Sequence, residues 1–542
     1  MHLEIQKLKL GSVGILRTSY REGTKIKHKQ LGRIIGKTYE ELKILQLAFR
    51  GQVTPENDKN ALKILSSKEY GASYSILEIA KETKLDKAIY SRSEPWVNGV
   101  LAMIIGRIIY AGSKLSLCNQ YNNTNLFELV GIDKKPEVEQ HCYLPLDRLL
   151  ARQDSIQRTL AKNHLNDGCM VLYDITSSYL EGSYQESELV KFGYNRDRKN
   201  GHKQIVIGLI CNKEGCPVAV ETFAGNTKDE TTVIGKVKEL KHKYKLKKLI
   251  FVGDRGMLTK CNIEKLEGTK EINIITALTH GQIRSLLDNK TIQPGLFDEK
   301  NINEVIDPET QKRYCLCRNP LKAKEAEEVR NKLIELTEKG LQEIANYKMA
   351  STVEAIGARV GKILAKYKVA KFIKWSVTAD TENNKSKKHQ LIWNIDQEKS
   401  SEEKQLDGCY IITTNVSAQD MNAQEVVASY KKLILVEQAF RNLKTVQLDM
   451  RPIYHKKDER IKAHVFLCML AYYLQWHMKQ KLKALFDGDG NGKERRWSFD
   501  GIISTLKQIT INEVSIGGSK IFKVSEATLE QSTILKYLGI SL

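Results

Sequence analysis

The chain has 542 residues, of which 41% are hydrophobic, and its 86 Lys and Arg exceed its 65 Asp and Glu to give a formal net charge of +21. This length allows two to four domains with cores of their own, and the positive charge favours a polyanionic partner, most simply nucleic acid. Charge alone does not separate an enzyme from a protein that coats DNA.

The ten cysteines form no paired CxxC pattern, so the sequence indicates neither a zinc site nor a disulfide framework, and a reducing cytoplasm is expected. The N-terminus lacks the apolar core of a signal peptide. The two most apolar runs, residues 100–112 and 465–476, are interrupted by a charge or too short to span a bilayer. Both are predicted to be buried helices, and no membrane partner is expected.

Residues 1–165 are predicted to form a mainly helical N-terminal region that binds DNA. It opens with a basic stretch at 19–34, whose cations could either grip DNA or solvate a surface. Apolar residues with helical spacing then predict four helices, at residues 39–50, 72–85, 98–111 and 146–164.

Residues 166–280 change character and predict the first part of a catalytic core. A short apolar strand ends near Asp174, and a second strand ends at Asp254. The full pattern is strand, strand, strand, helix, strand, helix, strand. The second and third strands, at residues 203–223, are predicted to form a hairpin.

The second half of the chain is predicted to contain three further parts. An inserted α+β domain covers 281–405, the second part of the core covers 406–485, and a C-terminal region covers 486–542. The core returns with a strand at 408–415, and two helices follow it. The fold class is therefore α/β, with a mixed sheet flanked by helices.

The helix predicted over residues 430–444 places Glu437 at the border of its apolar face. Tyr430, Arg441 and Lys444 fall in the same sector. The simplest interpretation is an amphipathic helix in which Glu437 and Arg441 form an i,i+4 pair worth about 0.3 kcal/mol.

Three separated carboxylates offer another interpretation. If Asp174 and Asp254 stand at strand ends and Glu437 projects from a helix on the same sheet, three hard oxygen ligands converge. Such crowding is costly unless a cation neutralises it, and oxygen sites suit Mg²⁺ or Mn²⁺. Two ions can promote an in-line phosphodiester displacement.

Several motifs resemble those of the DDE transposases of bacterial insertion sequences, in the group marked by a Tyr, Arg, Glu, Lys signature. YDITSSYLEG (173–182) is similar to the first-acid motif and VGDRGML (252–258) to the second, while Tyr430, Glu437 and Lys444 have the signature's spacing. The resemblance extends over most of the chain, through segments at 224–232, 407–415 and 451–472.

The resemblance implies a ribonuclease H-like fold, with Asp174, Asp254 and Glu437 as catalytic acids that bind two Mg²⁺ or Mn²⁺ ions. It implies endonuclease and strand-transfer activity on terminal inverted repeats and target DNA, in a synaptic homodimer within a bacterial nucleoid. Tyr430 and Lys444 would contact DNA phosphates.

The chain departs from the signature at one position, because Leu433 stands where the Arg is expected. We expect Arg441 to compensate, and Arg255, beside the second acid, either contacts phosphate or balances local charge. Two other functions stay open: a related nuclease that cleaves DNA without joining it, and a non-catalytic DNA-binding protein derived from a transposase. A stretch at 487–498 resembles a calcium loop but ends on Ser498, where a Glu is needed, and is predicted to be a polar turn.

Overall fold

The computed structural model describes residues 2–8, 11–22, 25–50, 62–197, 199, 201–267, 271–297, 302–347, 352–379, 389–487, 497–516 and 519–542. Sixteen strands occur in these parts of the chain: β1 (His2–Leu8), β2 (Gly11–Glu22), β3 (Lys25–Lys37), β4 (Leu62–Glu69), β5 (Cys169–Tyr179), β6 (Gln204–Asn212), β7 (Pro217–Ala224), β8 (Leu249–Gly253), β9 (Ile272–Ala277), β10 (Asn303–Ile306), β11 (Arg313–Arg318), β12 (Ile373–Ala379), β13 (His389–Ile395), β14 (Cys409–Thr414), β15 (Thr510–Ile516) and β16 (Ser519–Val524).

The same parts of the chain contain twenty α-helices: α1 (Tyr39–Phe49), α2 (Gly71–Glu82), α3 (Leu85–Ile89), α4 (Pro95–Tyr110), α5 (Lys114–Asn119), α6 (Leu126–Leu129), α7 (Leu144–Ala151), α8 (Gln153–His164), α9 (Asp229–Tyr244), α10 (Lys260–Glu267), α11 (His280–Asp288), α12 (Pro320–Ala345), α13 (Val353–Tyr367), α14 (Gln397–Gln405), α15 (Ala423–Lys431), α16 (Leu433–Arg441), α17 (Asp458–Lys481), α18 (Lys483–Asp487), α19 (Phe499–Lys507) and α20 (Leu529–Leu538). Short 3₁₀ or π turns lie at Gln120–Asn122, Glu139–Tyr143, Pro294–Leu296, Ala370–Phe372 and Asn442–Val446.

An eight-stranded mixed sheet with the order β10-β11-β14-β9-β8-β5-β6-β7 forms the centre of the protein. Strands β5, β8 and β9 run parallel, and the remaining neighbours are antiparallel. The succession from β5 to β9 has the predicted order, with α9 before β8 and α10 before β9. The α/β fold class is confirmed, and the sheet is consistent with a ribonuclease H-like fold.

Helices cover both faces of this sheet, which explains why its central strands are almost continuously apolar. All nine residues of β6 are buried. Alternate strand residues belong to two separate cores: one contains apolar side chains of α9 and α10, and the other contains those of α16 and α17. Strands buried on both faces require apolar side chains at successive positions, so a polar residue there is conspicuous.

The two most apolar runs of the sequence form α4 and α17, which are buried helices as predicted. Helix α17 packs on β7 and against α4 and α7. No single helix in the described ranges has both the length and the apolar character needed to cross a bilayer, although α4 together with the bent segment Lys114–Asn122 satisfies those criteria by length and composition.

Strand β4, from the N-terminal region, pairs with strands near the C-terminus in a three-stranded sheet of order β16-β15-β4. Helix α2 packs beside α19 and α20. Residues predicted to belong to separate N-terminal and C-terminal regions therefore share one structural unit, because β4 is the edge strand of a sheet completed by the last fifty residues.

The N-terminus begins with strands where the sequence suggested only a basic stretch followed by helices. Strands β1, β2 and β3 form an antiparallel sheet that packs on α1 through Leu3, Leu42 and Leu45. The four predicted helices are present, but the basic stretch at 19–34 lies in the β2–β3 hairpin. Helical periodicity gave no sign of this sheet because most residues of β3 are exposed on both faces.

The predicted insertion is smaller in the structure than residues 281–405, because β10 and β11 add two strands to the central sheet. Helices α12 and α13 and the β12–β13 hairpin share a core of their own. Arg330 of α12 is joined to Asp407 by two hydrogen bonds of 2.9 and 2.7 Å. Residues 380–388, between β12 and β13, and most of the calcium-like stretch lie outside the described residues.

We expect Gly71→Ala to destabilise the unit formed by the two chain ends. A Cβ atom at Gly71 would lie 2.6 Å from the Leu506 carbonyl oxygen and 2.7 Å from Ile509 Cβ. Overpacking of this kind costs about 1–3 kcal/mol, measurable by urea denaturation. Gly235→Ala in α9 is the matched control, because its Cβ would meet nothing within 4 Å and should be neutral or stabilising.

Candidate active site

The first two acids are brought together by the register between two parallel strands. Strands β5 and β8 pair from Cys169 with Leu249 as far as Tyr173 with Gly253. Asp174 follows Tyr173 and Asp254 follows Gly253, the last pair in this ladder. The two acids therefore lie side by side where the pairing of β5 with β8 stops. The expectation that Asp174 ends its strand is wrong, because β5 continues to Tyr179 by pairing with β6.

Glu437 projects from α16, which packs on β5 and β6. Val436 and Phe440 are buried against the sheet, whereas Glu437 is exposed. The single helix predicted over 430–444 consists of α15, a junction at Lys432, α16 and a π turn. Glu437 therefore occupies the predicted border between the core and the solvent, on a helix that lies over the strand carrying Asp174.

The three carboxylates interact electrostatically. Burial, together with the charges of Asp254 and Glu437, raises the pKa of Asp174 to about 7, while the charge of Arg196 opposes this shift. The Ile175 amide donates a hydrogen bond of 2.8 Å to Asp174 Oδ1. A carboxyl group that is largely buried beside two like charges is the environment in which a bound cation is most favourable.

The three acids do not form a compact set of metal ligands in this structure. Among the described residues, the only three His, Cys, Asp or Glu side chains with ligand atoms all within 4.8 Å of one another are His164, Cys216 and His477. At least one pair of ligand oxygens among Asp174, Asp254 and Glu437 is therefore more than 4.8 Å apart, and the side chains would have to approach one another to share an ion.

Tyr430, at the end of α15, contacts the second acid directly. Its hydroxyl donates a hydrogen bond of 3.3 Å to Asp254 Oδ1. Burial raises the pKa of Tyr430, and the negative charge of Asp254 contributes in the same direction. The hydroxyl therefore stays protonated and can orient the Asp254 carboxylate.

Lys444 is buried beside the site and is held by the protein. Its Nζ atom donates to Thr176 Oγ1 at 2.6 Å and to Asp197 Oδ1 at 3.1 Å. Asp197 also forms an ion pair of 2.7 Å with Arg451. Burial lowers the pKa of Lys444, and its bond to Asp197 counteracts this. The structure thus brings Lys444 to the strand of the first acid, two residues beyond it.

Sequence patterns gave no sign of Asp197 or of Arg196 next to it. The Arg196 amide donates to Ser177 Oγ at 2.9 Å, and its guanidinium pairs with Asp229 at the start of α9. The segment 224–232, similar to a family motif, is thereby tied to β5. These contacts join residues 19 and 33 positions apart, and only the resemblance at 224–232 could have pointed to them.

Arg255 is among the residues that line a cavity of about 620 Å³ between the central sheet and the inserted helices. The basic side chains that line this cavity are Arg255, His280, Lys322, Arg330, Lys368 and Lys371. Arg330 and Lys371 are paired with Asp407 and Glu403. The residue that follows the second acid therefore lines a cavity with a mainly basic wall.

Comparison with protein families gives a match to the transposase DDE domain over residues 166–474, more than half of the chain. The chain belongs to the transposase DDE domain family. The matched transposase domain includes all three acids, Tyr430, Lys444 and the inserted helices. A search of curated proteins finds no significant match. Transposases of this family cleave DNA and transfer strands, and they typically use divalent metal ions.

Leu433, at the position of the signature Arg, is built into the core of the transposase domain. Its side chain is 7% exposed and packs in the same apolar cluster as Val436 and Phe440. Arg441, one turn after Glu437, is exposed. Position 433 thus packs in the core, and the exposed cation, Arg441, lies on the C-terminal side of Glu437.

We expect Asp174→Asn to stabilise the protein in the presence of a chelator, and more at pH 8 than at pH 4. A carboxyl group whose pKa rises from about 3.9 in the unfolded chain to about 7 in the folded protein loses stability as pH rises between these values. Removing the charge should therefore recover up to about 4 kcal/mol above pH 7 and almost nothing near pH 4.

Thermal denaturation across this pH range provides the measurement. Asp254→Asn is the control, because this side chain is exposed and a change there should affect stability less. Equal gains at pH 4 and pH 8 for Asp174→Asn would contradict the burial of a titrating carboxyl group.

Proposed function

We propose that the protein is an insertion-sequence transposase that cuts the ends of its element with water and joins the freed 3′ hydroxyl to target DNA. The observation that carries this proposal is the strand register that sets Asp174 beside Asp254, under the helix that presents Glu437. Membership of the transposase family supports cleavage and strand transfer in general.

Asp174, Asp254 and Glu437 would hold two Mg²⁺ or Mn²⁺ ions. All three offer the hard oxygen donors that these ions prefer. The pKa of Asp174 is raised by burial and also by the charges of Asp254 and Glu437, which a cation would offset. Such ions, when bound, activate the attacking oxygen and stabilise the leaving oxygen of a phosphodiester displacement.

Tyr430 and Lys444 would act chiefly as positioning residues, although the resemblance implied phosphate contacts for both. Tyr430 orients the Asp254 carboxylate through its hydroxyl. Lys444 fixes β5 beyond Asp174 through Thr176 and ties it to Asp197. Both contacts keep the acids in place before DNA arrives, which is what preorganisation of a catalytic site requires.

Phosphate contacts would come from exposed cations. Arg255 opens onto the basic cavity beside Asp254, and Arg441 lies one turn beyond Glu437. The exposed β2–β3 hairpin and its basic stretch at 19–34 would bind terminal repeats or flanking DNA. Because two element ends are processed together, we further propose a synaptic homodimer.

We expect Asp254→Asn and Glu437→Gln to lower cleavage of a plasmid carrying the element ends by about 10²–10³-fold, because each change removes an oxygen donor worth several kcal/mol in the transition state. Both side chains are exposed, so folding should be unchanged. The measurement is product formation with Mg²⁺. The control is Glu425→Gln, a change in α15, the helix that also carries Tyr430.

Pre-cleaved ends distinguish the proposed function from its closest alternative. A transposase should join them to target DNA, whereas a nuclease of the same fold would cleave intact ends and leave pre-cleaved ends unjoined. Unchanged activity in both acid variants would remove the site assignment itself.

We expect Arg255→Ala to reduce the slope of log affinity against log salt concentration by about 1, because one phosphate contact is lost. Lys444→Met should leave the slope unchanged, since its buried ammonium is already bound to Thr176 and Asp197. Fluorescence anisotropy with duplex DNA from about 50 to 200 mM salt measures both slopes. A reduced slope for Lys444→Met would show that this lysine contacts phosphate after all.

A further inference from the structure

A compact group of metal-ligand side chains lies apart from the three acids, where helices meet the far edge of the central sheet. His164 is the last residue of α8, Cys216 precedes β7, and His477 lies in the last third of α17. One potential ligand atom from each lies within 4.8 Å of the other two. The three residues come from separate segments, so the fold and not local sequence brings them together.

The polar atoms of this cluster are incompletely satisfied. His477 Nε2 is buried and has no hydrogen-bond partner. Cys216 is 0% exposed, and its sulfur makes only a weak contact of 4.0 Å with the Pro217 carbonyl oxygen. A buried ring nitrogen without a partner is unfavourable in a close-packed protein and calls for an explanation.

His164 is already oriented by a neighbour. Its Nε2 atom lies 2.9 Å from the Tyr473 hydroxyl oxygen. This bond leaves Nδ1 as the atom that can bind an ion, and a second hydrogen bond of this kind typically fixes the ring of a metal-bound histidine. Tyr473 also packs edge-on against His477, with ring centroids 4.5 Å apart.

Lys481, one helical turn after His477 on α17, is paired with Glu82 at 2.8 Å. Its charge is therefore partly balanced, which reduces its repulsion of a cation bound at His477.

We propose that His164, Cys216 and His477 bind a Zn²⁺ ion that clamps α8, the β6–β7 hairpin and α17 together. Two imidazoles and one thiolate are ligands that zinc prefers, with bonds of about 2.0 Å to nitrogen and about 2.3 Å to sulfur. Tetrahedral coordination separates donor atoms by about 3.5 Å, which small side-chain rotations achieve from the observed arrangement. A water molecule would complete the four-coordinate shell.

This site is independent of the proposed function. Hard-oxygen sites for Mg²⁺ and a nitrogen–sulfur site for Zn²⁺ differ in ligand chemistry, so each can be occupied without the other. The clamp joins the sheet edge at β7 to α17, which also packs on α4 and α7. Its role would be to stabilise the scaffold that supports the acids.

Metal analysis and cobalt spectroscopy of the full-length protein test the proposal. Protein purified without chelator should contain about one zinc per chain, and replacement by Co²⁺ should give a thiolate-to-cobalt charge-transfer band. Cys216→Ser should lose that band, and His477→Ala should lower the zinc content at least about tenfold, as expected when a metal ligand is removed. Cys211→Ser is the matched control, because Cys211 is equally buried on the same hairpin and outside the cluster.

The outcomes separate this inference from the catalytic assignment. Asp254→Asn should retain the zinc and the cobalt band while losing DNA cleavage. Absence of bound zinc and of the cobalt band in folded wild-type protein would overturn the site and leave a packed cluster of aromatic rings and a thiol. Zinc content unchanged in Cys216→Ser and in His477→Ala would overturn it equally.

Discussion

The arrangement of the candidate site depends on the point at which the parallel strands β5 and β8 stop pairing. Strands β5 and β8 separate after Tyr173 and Gly253, and each then supplies an aspartate. Because β5 continues along β6, Asp174 stays within a covered sheet, whereas Asp254 turns out to the surface. One backbone register thus gives the site a largely covered acid beside an exposed one.

Three cations near this pair are committed to other partners. Arg196 pairs with Asp229, while Lys444 and Arg451 share Asp197. These ion pairs fix the loop after β5 and the start of α9 around the site, yet they leave the charge on Asp174 only partly balanced. A protein that instead placed a cation directly on the acids would stabilise them and block access for a divalent ion. The arrangement therefore favours an ion-binding role over a structural salt bridge.

Sequence reasoning succeeded where local patterns carry the information. Short apolar runs ending in a carboxylate located β5 and β8, and the border position of Glu437 identified its helix. It failed for β10, which has four residues, for β3, which buries little, and for Asp197, whose partner Lys444 lies 247 residues away. It also offered no zinc site, because His164, Cys216 and His477 share no local spacing. Contacts between distant segments leave no periodic signal, so the fold was more predictable than the network around the acids.

Position 433 shows how packing constrains chemistry on the same helix. Leu433 and Arg441 stand one turn before and one turn after Glu437, so the exposed cation lies about 12 Å along the axis from the position that the signature gives to Arg. An arginine at 433 would require a charged group among buried apolar side chains, where its desolvation is unfavourable without a partner. A contact from Arg441 would reach a different phosphate, because phosphates along one strand advance by about 3.4 Å of helix axis per nucleotide. If Arg441 binds phosphate as proposed, the leucine at 433 would change which part of the DNA this helix contacts, while the positions of the three acids stay set by β5, β8 and α16.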